Sequence, residues 1–282
     1  MERRTLRSGR APSADAPERR RPATVVSIAA SDSGGGAGIQ ADLLTFTALG
    51  VHGATVLTAA TAQNTRSVTA VEPLSTRLIA RQMDAVFEDL RPAAVKIGML
   101  YDAPRIRAVA AGLRRHRRRV RNVVVDPVMV AKAGARLLSR PAVAALCRDL
   151  LPLADLVTPN LPEAAVLARM RVRSDAERRI AAAALYDLGP RAVLVKGGHG
   201  RGAEVCDLLY DGRFFTQFRM PRIRTRATHG TGCTLSSAIA ANLALGYPLE
   251  DAIVRAIRYL RGALERGYFP GRGFGVPGRI AR

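Results

Sequence analysis

Thr24-Val25-Val26-Ser27-Ile28-Ala29, followed by Ser31-Asp32-Ser33-Gly34-Gly35-Gly36-Ala37-Gly38 and the apolar-periodic run from Ile39 to Leu49, reads as strand, glycine-dense turn and helix. β-branched residues crowd the first piece, small residues the second, and apolar positions recur at helical spacing in the third. The pattern then repeats. Val51 to Thr58 reads as a strand, and Ser75 to Leu90 as an amphipathic helix with Ile79, Met83, Val86, Phe87 and Leu90 on one face. Further strands are expected at 93–98, 122–126, 155–158 and 191–195, and a hairpin at 204–210 with 213–218, turned by Asp211-Gly212. Helices at about 102–118, 139–150, 160–169, 174–188, 232–245 and 248–266 fill the intervals. Strands and helices alternating at these lengths imply a mostly parallel sheet covered on both faces, a three-layer α/β/α fold. In such sheets ligands sit beyond the carboxyl ends of the strands.

The 282 residues, 48% of them apolar, suit one α/β domain. Residues 1–22 lack hydrophobic periodicity and are rich in Arg, Ala, Pro and Ser, so they are expected to be a disordered extension to a domain at 23–282. Neither a secretion signal nor a run of about 18 uncharged apolar residues is present, which points to the cytoplasm and away from a membrane. Cys147, Cys206 and Cys233 are too scattered for a disulfide framework or a zinc cluster. The net charge of +21 invites a nucleic-acid reading. Yet the arginines gather in the first 21 residues, around His116 and singly along helices, with no interleaved aromatics, so no specific nucleic-acid partner is expected.

Three glycine-bearing segments carry chemistry. Gly36-Ala37-Gly38-Ile39-Gln40-Ala41 mimics a dinucleotide fingerprint, but that motif needs an acidic residue about 20 positions on, where this chain has Val56, Leu57 and Thr58. No P-loop occurs either. Thr228-His229-Gly230-Thr231-Gly232-Cys233-Thr234 leads straight into an apolar helix, so its amides and the helix dipole converge as an anion hole suited to a phosphoryl group. At that position the thiol of Cys233 is expected to fall below its usual value of about 8.5, which would suit a general base; the alternative is a small residue filling the helix start. His229 is read as structural or phosphate-orienting in preference to a proton carrier. Within Thr158-Pro159-Asn160-Leu161-Pro162-Glu163-Ala164, Asn160 and Glu163 have the spacing of a capping box and equally the chemistry of a Mg²⁺ site, to which Asp126 adds a second carboxylate. Lys196, before Gly197-Gly198-His199, is placed to meet a nucleotide phosphate. Gln63 carries a donor and an acceptor on one amide.

Seven motifs in order, SDSGGGAGIQADL at 31–43, TAQNT at 61–65, KIGML at 96–100, DPVM at 126–129, TPNLPEA at 158–164, VKGGH at 195–199 and THGTGCTLS at 228–236, resemble the hydroxymethylpyrimidine/phosphomethylpyrimidine kinases of thiamine biosynthesis. These are relatives of pyridoxal kinases with the ribokinase-like fold, and the resemblance spans residues 23–270. It implies ATP-dependent phosphorylation of 4-amino-5-hydroxymethyl-2-methylpyrimidine and then of its monophosphate, with Mg²⁺ as cofactor and a homodimer as assembly. It implies further that Gln63 bonds the aminopyrimidine, that Met99 and Val128 wall its ring, and that Ala30, Asp32 and Thr61 line the substrate pocket. Cys233 stands where many ribokinase-like relatives carry aspartate and would act as base, with Gly230, Thr231 and Gly232 forming the anion hole. Lys196, Asn160, Thr228 and His229 would contact ATP, and Glu163 with Asp126 the metal. Two positions depart from the family pattern: Ala30 stands where some members have glycine, and the segment from Gly271 to Gly278 lacks the family's following histidines. The alternatives are a pyridoxine or pyridoxal kinase on the same scaffold and, in another class, a non-catalytic pyrimidine sensor. The segment 131–137, with Lys132 and Gly134, is the expected mobile lid.

Overall fold

The computed structural model describes residues 21–129, 138–198, 200 and 202–279. The expected mobile segment at 131–137, the bulk of the N-terminal extension and His199 lie outside these residues. The elements run in the order β1 (Thr24–Asp32), α1 (Gly38–Ala48), β2 (His52–Gln63), β3 (Val68–Pro73), α2 (Thr76–Asp89), β4 (Ala94–Ile97), α3 (Ala103–Arg115), β5 (Val123–Val125) and α4 (Arg140–Ala145). They continue with β6 (Leu156–Val157), α5 (Leu161–Leu167), α6 (Asp175–Tyr186), β7 (Val193–Val195), β8 (Glu204–Tyr210), β9 (Phe215–Pro221), α7 (Thr231–Ala244) and α8 (Leu249–Glu265).

The strands form one sheet in the order β3-β2-β1-β4-β5-β6-β7-β8-β9. Pairing is parallel from β2 through β7 and antiparallel at both margins, where β3 joins β2 and the β8–β9 hairpin joins β7. The chain lays β2 on one side of β1 and β4 on the other, so the strand order reverses there and a crevice opens above the carboxyl ends.

Strand side chains alternate between two cores, as a pleat of period two requires. Val26, Val95 and Val123 pack with Met83, Phe87, Ile106 and Leu113 on one face. Val25, Ala94 and Val124 pack with Phe46, Ile239 and Ile253 on the other. These are the expected three layers. The two-sided burial explains why the central strands read as unbroken apolar runs.

β3 was not expected from sequence. None of its six residues is buried, so it carries no alternating signal and is held by backbone pairing to β2. Its effect is to carry β2 five residues past the expected end at Thr58, out to Gln63. The expected helix at 139–150 is α-helical over Arg140–Ala145 and continues as a wider π turn over Leu146–Leu150.

Candidate active site

Five strand ends deliver polar groups to one cavity of about 670 Å³: Asp32 from β1, Gln63 from β2, Asp126 after β5, Asn160 after β6 and Lys196 after β7. Every candidate residue named from the sequence lines this cavity.

Asp32 organises the first glycine loop. Its carboxylate accepts from the amides of Gly34 at 2.9 Å, Gly36 at 3.1 Å and Ala37 at 2.8 Å, and its Oδ2 lies 2.9 Å from Nε2 of His229. Burial alone would raise this carboxyl, but His229 and the amides of Ala37 and Gly34 hold it below the usual range. Asp32 thus lines the cavity as expected and is at the same time the hub of the loop. His229, expected at ATP, is likewise committed to Asp32 and stands 3.3 Å from Nε2 of Gln63. It joins the loop after β1 to the loop before α7, 197 positions apart.

That second loop enters α7 through Gly230, whose φ of +82° suits glycine. A Cβ here would collide with the Gly36 carbonyl, so the two glycine loops touch backbone to backbone. Thr231, Gly232 and Cys233 form the first turn, with their amides at the positive end of the helix. The Thr228 carbonyl accepts the Thr231 hydroxyl at 3.2 Å and closes the turn. Beside Gly232, Lys196 Nζ meets Asp126 Oδ1 at 2.6 Å.

Cys233 departs from expectation. Burial pushes its thiol up, and Asp42 and Asp126 push the same way, against Lys96 and the Gly38 amide. The helix terminus does not override this, so the resting group is the thiol. Lys96, itself buried and expected only as part of a motif, bonds both oxygens of Asp42 at 2.8 Å, while Ser27 and Ser237 bond the same carboxylate at 2.5 and 2.7 Å. Burial would lower the Lys96 ammonium, but Asp42, Cys233 and Asp126 hold it above its ordinary range.

Asn160 and Glu163 form a reciprocal capping box, the Glu163 carboxylate accepting from the Asn160 amide at 2.8 Å and Asn160 Oδ1 from the Glu163 amide at 2.9 Å. The structural reading of this pair is thus realised, and it engages the side chain of Asn160 that was expected at ATP. Burial pushes the Glu163 carboxyl up to about 7, with Asp126 adding repulsion against the pull of Lys196. Among the described residues no group of three or more His, Cys, Asp or Glu is arranged around a metal position. Asp126, paired with Lys196, and Glu163, which feels the same ammonium, are nevertheless carboxyl groups of the kind a hydrated Mg²⁺ takes, since it needs few protein ligands.

On the other side of the cavity Ala30, Met99 and Ala59 make a small apolar cluster, flanked by Val71, Tyr101 and Val128. The Ala30 methyl is part of this wall. Thr61 donates its hydroxyl to the Ser31 carbonyl at 2.9 Å and braces the wall. Ser33 fixes the backbone of Gln63 twice, at 2.8 Å each way.

With the geometry in place, comparison with known proteins decides the kinship. The family described as phosphomethylpyrimidine kinase matches residues 32–277. The chain belongs to this family. It is similar to the hydroxymethylpyrimidine/phosphomethylpyrimidine kinase of Rhizobium meliloti, 56% identical over 86% of this chain and 91% of that protein. It is also similar to the thiamine biosynthesis bifunctional protein ThiED of Geobacter sulfurreducens, 52% identical over 91% of this chain and about half (52%) of that longer protein. Among solved structures, an ADP complex of Bacillus subtilis pyridoxal kinase superposes with a TM-score of 0.84 at 33% identity, covering 92% of this chain and 97% of that one. A phosphomethylpyrimidine kinase family member with this ribokinase-like fold is a kinase, which sets aside the non-catalytic sensor.

Several residues of this cavity escaped sequence reasoning. Asp207 accepts the Gly197 amide at 2.7 Å, and Arg222 donates to the carbonyls of Gly198, Gly200 and Gly202, each at 2.9 Å, shaping the loop after Lys196. Backbone partners leave no trace in sequence spacing. An apolar arm of the cavity, lined by Phe218, Met220, Leu235, Ile257 and Leu264, comes from elements that read only as core. No described helix is long and apolar enough to cross a membrane.

Proposed function

We propose that this chain transfers the γ-phosphoryl group of ATP to the hydroxymethyl group of 4-amino-5-hydroxymethyl-2-methylpyrimidine, and then phosphorylates the monophosphate to the diphosphate, in thiamine biosynthesis. The observation that carries this reading is that Gln63 and the mouth of α7 line one cavity, with Nε2 of Gln63 3.3 Å from Nε2 of His229. A donor–acceptor amide and the amides that start α7 thus face the same cavity.

In this reading the flat ring lies against Met99, Val128 and Ala30, with Gln63 bonding its amino edge and Thr61 bracing the pocket. The adenine occupies the arm between Phe218 and Leu264, and the phosphates run past Thr228 and Lys196 toward Gly230, Thr231 and Gly232. The new bond joins the substrate oxygen to phosphorus, the bond to the departing ADP oxygen breaks, and the α7 amides neutralise the charge on the transferred group. Cys233 takes the hydroxyl proton in its thiolate form, present as a minor fraction because the resting thiol is raised. Asp126 and Glu163 would hold Mg²⁺, which supplies charge neutralisation on the nucleotide phosphates, and Asn160 fixes Glu163 in place.

The domain is proposed to span 23–282 behind an arginine-rich extension, and the protein to act as a cytoplasmic homodimer, which sedimentation and cell fractionation test. Purified protein with ATP, Mg²⁺ and either the pyrimidine alcohol or pyridoxal gives the central test. Phosphorylation of the pyrimidine is expected at the higher kcat/KM; turnover of pyridoxal alone would instead establish the alternative substrate.

A further inference from the structure

Arg279 is 3% exposed, although its charge comes almost at the end of the chain. A short strap delivers it. Val276 exchanges backbone bonds with Tyr268 at 2.8 and 3.0 Å, Gly278 donates to the Ala263 carbonyl at 2.8 Å, and the Tyr259 hydroxyl donates to the Arg279 carbonyl at 2.9 Å. The guanidinium then reaches into the junction of the two glycine loops. Nε donates to the Thr234 hydroxyl at 2.8 Å, and Nη2 donates to the Gly36 carbonyl at 2.6 Å and the His229 carbonyl at 3.3 Å.

All three acceptors are neutral. Among the described residues no carboxylate stands within ion-pair distance of this guanidinium. A buried cation without a paired anion is costly, and burial accordingly holds this guanidinium below its usual range, with Cys233 and Asp42 drawing it back. Its place accounts for the charge: a Cβ on Gly230, the residue that starts α7, would lie 2.5 Å from Nη2. The guanidinium therefore sits against Gly230, at the start of the helix whose first amides form the anion hole.

We propose that Arg279 is a positioning residue of the phosphoryl site, whose buried charge backs the α7 amides, so that a bound phosphate completes a pairing that the described residues leave open. Thr234, Gly36 and His229 are held by the same group, so it fixes the spacing of both loops while adding positive potential where the anion lies. The inference rests on reading the α7 mouth as the phosphoryl site. Its test requires no turnover and no knowledge of the alcohol.

Cys233 lines this site, and Cys147 and Cys206, both partly exposed, are internal standards. The rate of iodoacetamide labelling of Cys233 is measured at one pH against rising inorganic phosphate in the full chain and in Arg279→Gln, Arg279→Met and Arg279→Lys. Phosphate is expected to protect Cys233 selectively in the native protein. The half-protecting concentration should rise about tenfold in the two neutral variants, the scale of one lost charge-assisted contact, and stay within about threefold in the lysine variant. Equal protection in all four chains, or no protection in the native one, would overturn the proposal. So would neutral variants that fail to fold where the lysine variant folds, since that assigns Arg279 to the scaffold alone. If protection follows charge as expected but the pyrimidine is not phosphorylated, the role of Arg279 stands and the substrate assignment falls.

Discussion

Oδ2 of Asp32 and Nε2 of His229 lie 2.9 Å apart, and through that contact the turn after the first strand is tied to the turn before α7. Three amides share the same carboxylate. Asp32→Asn keeps one acceptor but loses the charge, and a donor amide replaces an oxygen that faces N–H groups. We expect a loss of about 2 kcal/mol, the scale of charge-assisted hydrogen bonds, together with a fall in turnover. Because the folded pKa of Asp32 is lowered, its contribution is present above the unfolded value of about 3.9 and is lost as pH falls through the folded one. Urea unfolding at neutral and strongly acid pH checks this. A variant as stable as the native chain at pH 7 would remove Asp32 from its place as the loop's hub.

Much of this was legible in the sequence because it rests on spacing. β1, its glycine turn and α1 follow from β-branched, small and periodic residues in succession, and the capping box of Asn160 and Glu163 from a three-residue interval. β3 was hidden, since an edge strand with no buried residue has no hydrophobic alternation to read. Arg279, Arg222 and Asp207 were hidden for a different reason: their partners, mostly backbone groups, are brought near by the fold. The direction of the Cys233 shift is not legible in the sequence because a helix terminus is visible there, whereas burial around the sulfur, Asp42 and Asp126 are not.

Glu163 gives a pH signature of its own. Its folded pKa of about 7 stands above the usual carboxyl value, so the folded chain binds the extra proton. The stability it contributes is complete below the unfolded pKa of about 4.3 and is lost as pH rises to about 7, by on the order of 3 kcal/mol. Glu163→Gln keeps an acceptor for the Asn160 amide and removes the titration. Thermal melts without Mg²⁺ from pH 4.5 to 8 should therefore decline more steeply in the native chain than in the glutamine variant. Parallel curves would show that Glu163 is ionised throughout.

Gln63 is the proposed reader of the pyrimidine edge. In Gln63→Leu the amino group and ring nitrogen would enter the pocket without partners, a loss of about 1–3 kcal/mol that corresponds to roughly 10- to 100-fold in kcat/KM. The apolar wall at Ala30 and Met99 is untouched, so any turnover of pyridoxal should change far less. Steady-state kinetics with both alcohols separate the two. Equal losses would mean that Gln63 acts only through its link to His229.

Cys233 ties the chemistry to pH. A base in the transition state contributes typically 10²- to 10⁴-fold, so Cys233→Ala should lose turnover on that scale while KM for the alcohol changes little. Since the thiol is raised, its active thiolate form is scarce at neutral pH, and turnover should climb as the solution becomes more alkaline than the ordinary thiol value of about 8.5. Cys233→Asp replaces the thiol by a carboxyl whose ordinary value is about 3.9. Even pushed upward by Asp42 and Asp126, it ionises at a lower pH than the thiol. The aspartate variant should therefore retain activity and reach its plateau at lower pH than the native chain. If both chains show the same pH–rate profile, the titrating group is not at position 233, and the proton leaves by another route.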